Sequence, residues 1–307
     1  MPFWNYILEL HLLAMRILNL SSSDFANMSH ENANSLRAVG VDCKDYCFTK
    51  HVFNYNSQSE QKNLIEIKKE YKNFDLLQIF HSDSRIFLAV KDHPNIVVYH
   101  TGTRYRNNKP FYDDVFRGQR IFTDQCEFLL HNKNFTYIAP HFTFIEKKPK
   151  RFDGTITVGH FPSNPIVKGT DKIKKMLAPF KDKFNIIIDE QIYPHYQNLQ
   201  RISKCDIYIE LFQPQMNGNP YGCFGVTAFE ATALGCLTIT NNINESAYQD
   251  VYGDHNFILA NNEEKFHNIF NVISDDNFEV IRNSMHAGFF EKHNIEASGK
   301  HLLSLLT

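Results

Sequence analysis

Much of what classifies an enzyme at sight is missing from this sequence. Its thirteen glycines contain no G-x-G-x-x-G, which argues against an ordinary dinucleotide dehydrogenase. They also form no G-x-x-x-x-G-K-[ST] and no G-x-S-x-G, which removes the P-loop and the hydrolase elbow. No D-x-D occurs, so a carboxylate pair for a divalent cation is absent, and any diphosphate must be neutralised by protein groups. Neither a metal nor a cofactor is expected. The six cysteines (Cys43, Cys47, Cys126, Cys205, Cys223, Cys236) form no C-x-x-C and no zinc-type ladder, and they read as reduced core thiols in a cytoplasmic setting. Charge of one sign is scarce too: a net charge of −2 over 307 residues attracts neither nucleic acid nor an anionic membrane. The stretch Phe3–Leu13, apolar apart from Asn5, Glu9 and His11, is too short to cross a bilayer and lacks a basic n-region and a cleavage site.

Residues 1–14 have two readings, an extension before an internal start at Met15 and a short interfacial helix resting on a membrane. The second makes the protein peripheral to that membrane.

What is present is ample core material, with 43% hydrophobic and 21% charged residues. Strand-like and helix-like segments alternate: Ile17–Leu20 strand, Ala26–Val39 helix, Cys43–Thr49 strand, Glu60–Lys72 helix, Phe74–Phe80 and Ile96–Tyr99 strands. Glu146–Asp153 is polar, proline-broken and linker-like. Alternation restarts with strands at Thr155–Val158, Asn185–Ile188, Ile207–Ile209 and Leu237–Thr240. Helices are expected at Asp171–Phe180, Gln197–Lys204 and Val226–Leu234. Strands apolar on both faces imply parallel sheets covered by helices. The reading is an α/β chain of two Rossmann-like domains, 1–150 and 151–307, with a C-terminal helix (about Ser298–Leu306) returning toward their junction.

Open parallel sheets bind ligands beyond the carboxyl ends of their strands, which directs attention to three segments. Val158–Asp171 contains His160-Phe161-Pro162-Ser163-Asn164-Pro165-Ile166-Val167-Lys168-Gly169-Thr170. It follows a strand and opens a helix, so Lys168, the Gly169 backbone and the Thr170 hydroxyl suit an anionic phosphate. The plainer reading is a solvated lysine and an N-cap. Asn219–Gly235 is a loop punctuated by Gly222 and Gly225 that enters an apolar helix carrying one carboxylate, Glu230. The glycines let backbone N–H groups approach a ligand. A buried Glu230 needs a partner, either ribose hydroxyls or a structural salt bridge. Ile96–Arg104 brings His100 off the end of a buried strand, followed by Thr101, Gly102, Thr103 and Arg104.

The first two segments, in this order, resemble the C-terminal domain of family-four retaining glycosyltransferases of the GT-B fold, and the likeness runs on through Leu237–Thr240 and Asn244-Glu245. The resemblance implies two Rossmann-like domains facing each other across a cleft, and a metal-independent hexosyl- or related transferase using a nucleotide-sugar donor. It implies Lys168 on the donor diphosphate, Glu230 on the ribose, and the Phe224-Gly225-Val226 backbone, Gly169, Gly222 and Glu245 around the donor. His160 stands where the family usually has arginine. Gly222 stands where it usually has a second glutamate, which removes an expected contact to the donor sugar. A subset of bacterial members carries a similar H-x-P-S-N-x-x-x-K-G-T loop with a glycine at the later position. The resemblance also implies that His100 faces the donor sugar as a catalytic residue, with Ser23, Asp24, Asn27, Thr101, Thr103 and Arg104 on the acceptor side. One-step retention uses the departing phosphate to take the acceptor proton, so no general base is nominated. The acceptor (sugar, lipid or protein) stays open. So do two rival readings, a catalytically silent nucleotide-sugar-binding module and a GT-B epimerase.

Overall fold

The structure, a computed structural model, describes residues 15–144 and 154–307; the run Phe3–Leu13 and the linker-like Glu146–Asp153 lie outside them. By contacts the chain divides into two compact units. The first comprises the chain up to Asp124, Asn132–Thr143 and His293–Thr307; the second comprises Gln125–His131 and Phe144–Lys292. The units therefore do not follow a single cut in the chain.

In the first unit β1 (Arg16–Ser23), β2 (Asp42–Thr49), β3 (Glu60–Gln61), β4 (Leu76–Ile79), β5 (Ile96–His100), β6 (Arg120–Thr123) and β7 (Thr136–Tyr137) form one sheet. All pairs are parallel and the order is β3-β2-β1-β4-β5-β6-β7. The order reverses between β1 and β4, the kind of switch point where such sheets bind ligands. Ile17, Leu18 and Leu20 are fully buried, as expected of a strand covered on both faces. Polar Asn19 and Gln78 are equally buried, and hydrogen bonding offsets their cost. The Asn19 amide donates to Ser29 O and Asn32 Oδ1, both at 2.9 Å; Gln78 Nε2 donates to Asn19 Oδ1 at 2.7 Å, and the Tyr99 hydroxyl to Gln78 Oε1 at 2.6 Å. This network locks β1, β4 and β5 to the helix Met28–Ala38.

The single helix expected over Glu60–Lys72 is shorter and starts later. Asn63 accepts from the amides of Ile65 and Glu66, and Glu66 reaches back to the Asn63 amide. That capping box starts the helix at Leu64 and frees Glu60–Gln61 to pair with β2.

In the second unit β8 (Thr157–His160), β9 (Asn185–Ile188), β10 (Ile207–Ile209), a small hairpin of β11 (Gln215–Met216) and β12 (Asn219–Pro220), β13 (Leu237–Thr240) and β14 (Ile258–Leu259) follow in chain order. The main sheet is parallel, ordered β14-β13-β10-β8-β9, and reverses between β8 and β10. Its core packs Val158, Ile207, Ile209, Leu237 and Ile239 against Ile173, Leu177, Phe266 and Phe270. The strands β6, β7 and β14 were not foreseen, because each spans only two to four residues, too few for a period to show. Among the described residues, no helix is long and apolar enough to cross a membrane.

The last helix, Ile295–Leu306, packs on the helix Met28–Ala38 within the first unit, and Arg120 Nη1 donates to Leu306 O at 3.3 Å. Close approach is possible because Gly299 faces Ser35: a Cβ there would lie 2.1 Å from the Ser35 carbonyl oxygen. Gly299→Ala is therefore expected to force the two helices apart at a cost of about 1–3 kcal/mol. Urea unfolding should show a lower midpoint at unchanged slope, and a midpoint equal to the parent's would refute this packing.

Candidate functional site

The switch point of the second sheet brings together Lys168, Gly169, Gly225 and Val226. After β8 the chain makes one helical turn, Pro165–Lys168, and stops at Gly169, whose φ of +71° is the left-handed conformation that ends a turn. The next helix, Thr170–Leu177, starts there without a side-chain cap. Gly169 is also pressed against the segment after β10, where a Cβ would lie 2.0 Å from Phe212 O. Across from it Gly225 opens the helix Val226–Ala233, again without a side-chain cap. Two helix N-termini and one lysine thus meet at the carboxyl ends of β8 and β10, an arrangement suited to an anion.

Lys168 is not a lone cation. Its Nζ pairs with the Oε1 of Glu210, whose side chain is completely buried while that of Lys168 is 18% exposed. Thr240 Oγ1 donates to the other Glu210 oxygen at 2.9 Å. A Cβ on Gly225 would lie 2.6 Å from Glu210 Oε1 and 3.6 Å from Lys168 Nζ, so the pair sits directly against the start of that helix. Glu210 follows the all-apolar strand Ile207-Tyr208-Ile209; a carboxylate directly after a buried strand was a signal the sequence offered.

Glu230 is buried and bonded to a second unforeseen residue, His195, whose Nε2 donates to Glu230 Oε1 at 2.6 Å. The salt-bridge alternative for Glu230 is thereby realised in the structure. No pattern around His195 pointed to it.

Other expected residues are employed differently. His160 is a brace beneath the site: buried, it donates from Nδ1 to Ile209 O at 2.7 Å and accepts at Nε2 from Thr170 Oγ1 at 2.9 Å. Both ring nitrogens and the Thr170 hydroxyl are thus engaged within the protein. Burial, with nearby Lys168 acting the same way, pushes the His160 pKa down to about 4 against the bond to Ile209 O. Gly222 has φ +138°, and a Cβ there would lie 2.0 Å from Asn241 Nδ2, so no glutamate fits this backbone. Its amide donates to Glu127 Oε2 at 3.2 Å rather than to a ligand. Phe224 is a core ring, 4.6 Å from Phe257 and 5.3 Å from Tyr248, while Val226 is partly exposed at the helix start. Glu245 is exposed and faces His255 Nε2 at 3.4 Å.

In the first unit His100 turns inward. It is 1% exposed, stacks on Tyr105 at 4.1 Å, bonds Ser82 Oγ through Nδ1 at 3.0 Å, and is held by burial at a pKa of about 3. As placed it is a neutral packing group. Asp24 accepts from the Ser29 and His30 amides at 2.8 and 3.0 Å and from His81 Nε2 at 3.1 Å. His81 Nδ1 in turn accepts from Thr101 Oγ1 at 2.6 Å. Asn27 donates to Glu31 Oε1 at 2.9 Å, Arg104 pairs with Asp83 at 3.3 Å, Ser23 is partly exposed and Thr103 exposed. His81, which the sequence reading missed, is thus the hub that joins the loops after β1, β4 and β5. Ala26, Asn27, His81 and Ser82 all have positive φ, a concentration of strain at this switch point.

Three structural comparisons bear on this arrangement. A Thermobaculum terrenum O-GlcNAc transferase mutant superposes with TM-score 0.59 at 10% identity, covering 96% of this chain and 66% of that one. TarM superposes at 0.53 with 14% identity over 80% and 57%. Trehalose-6-phosphate synthase OtsA superposes at 0.59 with 8% identity over 95% and 98%. The fold is that of the GT-B glycosyltransferases. The chain spans only 66% and 57% of the first two neighbours' lengths. At these identities the likeness is one of fold. No family model matches the sequence, and no curated protein sequence does.

The neutral buried histidines make a pH prediction. A histidine whose folded pKa lies below its unfolded value of about 6.5 stabilises the fold above that value and loses the contribution as pH falls toward the folded pKa. For His160 that window is pH 6.5 to about 4. Between pH 6 and 5 unfolding should take up roughly one more proton in the parent than in His160→Gln. That is a difference of up to ~1.4 kcal/mol per pH unit in the slope of stability. Equal slopes in parallel urea titrations would refute the neutral-brace role.

Proposed function

We propose that this protein is a glycosyltransferase that takes a sugar from a nucleotide-sugar donor held in the second unit, with retention of configuration and without a metal ion. The observation carrying the reading is the meeting of Lys168 with two uncapped helix starts at the β8/β10 switch point of a glycosyltransferase fold. A structural neighbour from E. coli, at TM-score 0.58, is bound with UDP-2-fluoro glucose, which supports a nucleotide sugar as the ligand class. The acceptor is a sugar, lipid or protein hydroxyl-bearing group.

In this reading the diphosphate lies against the starts of the Val226–Ala233 and Thr170–Leu177 helices, and Lys168 faces it. As the glycosidic bond breaks, charge builds on the leaving phosphate, and these preset dipoles and the ammonium stabilise it. Glu230, fixed by His195, faces the ribose. The absence of D-x-D and the presence of a lysine at this point support metal independence, so turnover is expected to survive chelator. The silent-module reading is favoured by Gly222, where no sugar-binding glutamate fits, and by the Glu210 carboxylate already on Lys168. Slow donor hydrolysis without acceptor, seen as nucleotide release, separates the two.

Lys168→Ala and Glu230→Ala should each weaken nucleoside diphosphate binding roughly ten- to a hundredfold, the loss of one charge-assisted hydrogen bond of about 1.5–3 kcal/mol. Lys168→Ala strands a buried carboxylate, so Lys168→Gln serves as the milder variant and thermal melting verifies the fold of each. The lysine variants should also lower kcat, because only the phosphate gains charge in the transition state, whereas Glu230→Ala should act on binding. Calorimetry on folded variants decides the matter. Unchanged binding in both would place the donor elsewhere.

A further inference from the structure

We propose that Glu210 is a built-in competitor for the donor's diphosphate, an internal anion that holds Lys168 when no nucleotide is present and reclaims it as the product nucleoside diphosphate leaves. The inference rests on the donor site proposed above. It starts from position: Glu210 stands at the carboxyl end of β10, at the switch point, between Lys168 and the first residue of the Val226–Ala233 helix. That is where an anionic ligand of Lys168 and this helix start would come.

The carboxylate is fully buried, and a buried charge survives only with partners. Glu210 has Lys168 Nζ on one oxygen and the Thr240 hydroxyl at 2.9 Å on the other. Its main-chain amide donates to Ile239 O at 2.9 Å, which fixes the backbone of the residue between the strand ends. The strand end cannot move away without breaking the sheet. Lys168 is the partner nearer solvent, since its side chain retains 18% exposure while that of Glu210 has none. Its ammonium has three donors, so a phosphate can take the outward ones while Glu210 keeps one. Carboxylate and diphosphate are then like charges on one cation, and each weakens the hold of the other. Glu210 is therefore a specificity-determining residue: it sets how strongly the site grips phosphate charge.

The test measures binding of uridine, its mono- and diphosphate, the other common nucleoside diphosphates and inorganic pyrophosphate to four proteins. These are the parent, Glu210→Gln, Lys168→Gln and the double variant. Glutamine keeps the shape and a hydrogen bond to lysine but removes the charge. Glu210→Gln is expected to bind the preferred diphosphate at least tenfold tighter, with the gain shrinking for the monophosphate and vanishing for the nucleoside. The gain should disappear in the double variant, and product inhibition should strengthen in step. A merely structural Glu210 would shift the melting temperature and leave this charge dependence flat. Should the parent bind diphosphate and lose it in Lys168→Gln while Glu210→Gln binds no tighter, the competition is wrong and the donor site stands. A gain that persists without Lys168 also overturns the inference. If neither the parent nor Glu210→Gln binds any of these ligands, the donor site at Lys168 falls, and the competition with it.

Discussion

The second unit is organised around one buried charge. Glu210 stands at the end of an apolar strand with no exposed surface, and removing it from water costs several kcal/mol before any partner is counted. Lys168 and Thr240 offset that cost, and their geometry dictates much else. Lys168 can reach inward only because the chain ends its helical turn at Gly169 and lies flat on the segment carrying Phe212. The start of the Val226–Ala233 helix can sit on the carboxylate only because residue 225 has no side chain. Beneath them His160 ties the ends of β8 and β10 together through a carbonyl and a hydroxyl. Replacing a buried ion pair by hydrophobic residues is often neutral or stabilising, so packing alone does not call for a lysine and a glutamate at 168 and 210.

Histidines show why a strand-end residue is hard to read. His100 and His160 are each the last residue of a buried parallel strand, ahead of a loop, the pattern of a group that meets a ligand. Both rings instead turn into their own units, one onto Tyr105 and the other between Ile209 O and Thr170. Both are ladder residues, paired with Thr123 and Ile188, so the strand period sends each Cβ to one face, but the groups the ring meets there come from other segments of the chain. Sequence carries little of that. His81 is the counterpart: it lies after β4 with a positive φ that nothing in His81-Ser82-Asp83 announces, yet it joins Asp24 to Thr101.

The sheets themselves were legible, since strands apolar on both faces have one common solution in a chain of alternating elements. The helix starts and the lysine were legible for the same reason, being local patterns at strand ends. What escaped was long-range pairing. Glu210 meets Lys168 from 42 residues away, His195 meets Glu230 from 35, and Glu127 meets Gly222 from 95. Each is a carboxylate finding a donor in three dimensions, and no spacing rule encodes such a meeting. The miss at Glu60–Gln61 was of another kind, since Asn63 and Glu66 spell a capping box that a closer local reading would have used.

These pairings also limit how the molecule can handle anions. With a net charge of −2 there is no global field to concentrate a polyanionic ligand, so capture depends on local groups. The positive ends of the two helices are fixed dipoles, unaffected by what lysine does. Lys168 is the adjustable element, because its charge is shared with Glu210. A site built this way divides its labour: backbone dipoles give a constant attraction for phosphate, and the shared cation gives an attraction that the protein itself opposes. In the proposed reading, full grip at all times would favour the product, whose phosphate carries the charge released by bond cleavage, and would slow turnover. On that reading an internal carboxylate would lower the affinity for the product without removing the cation that the transition state needs.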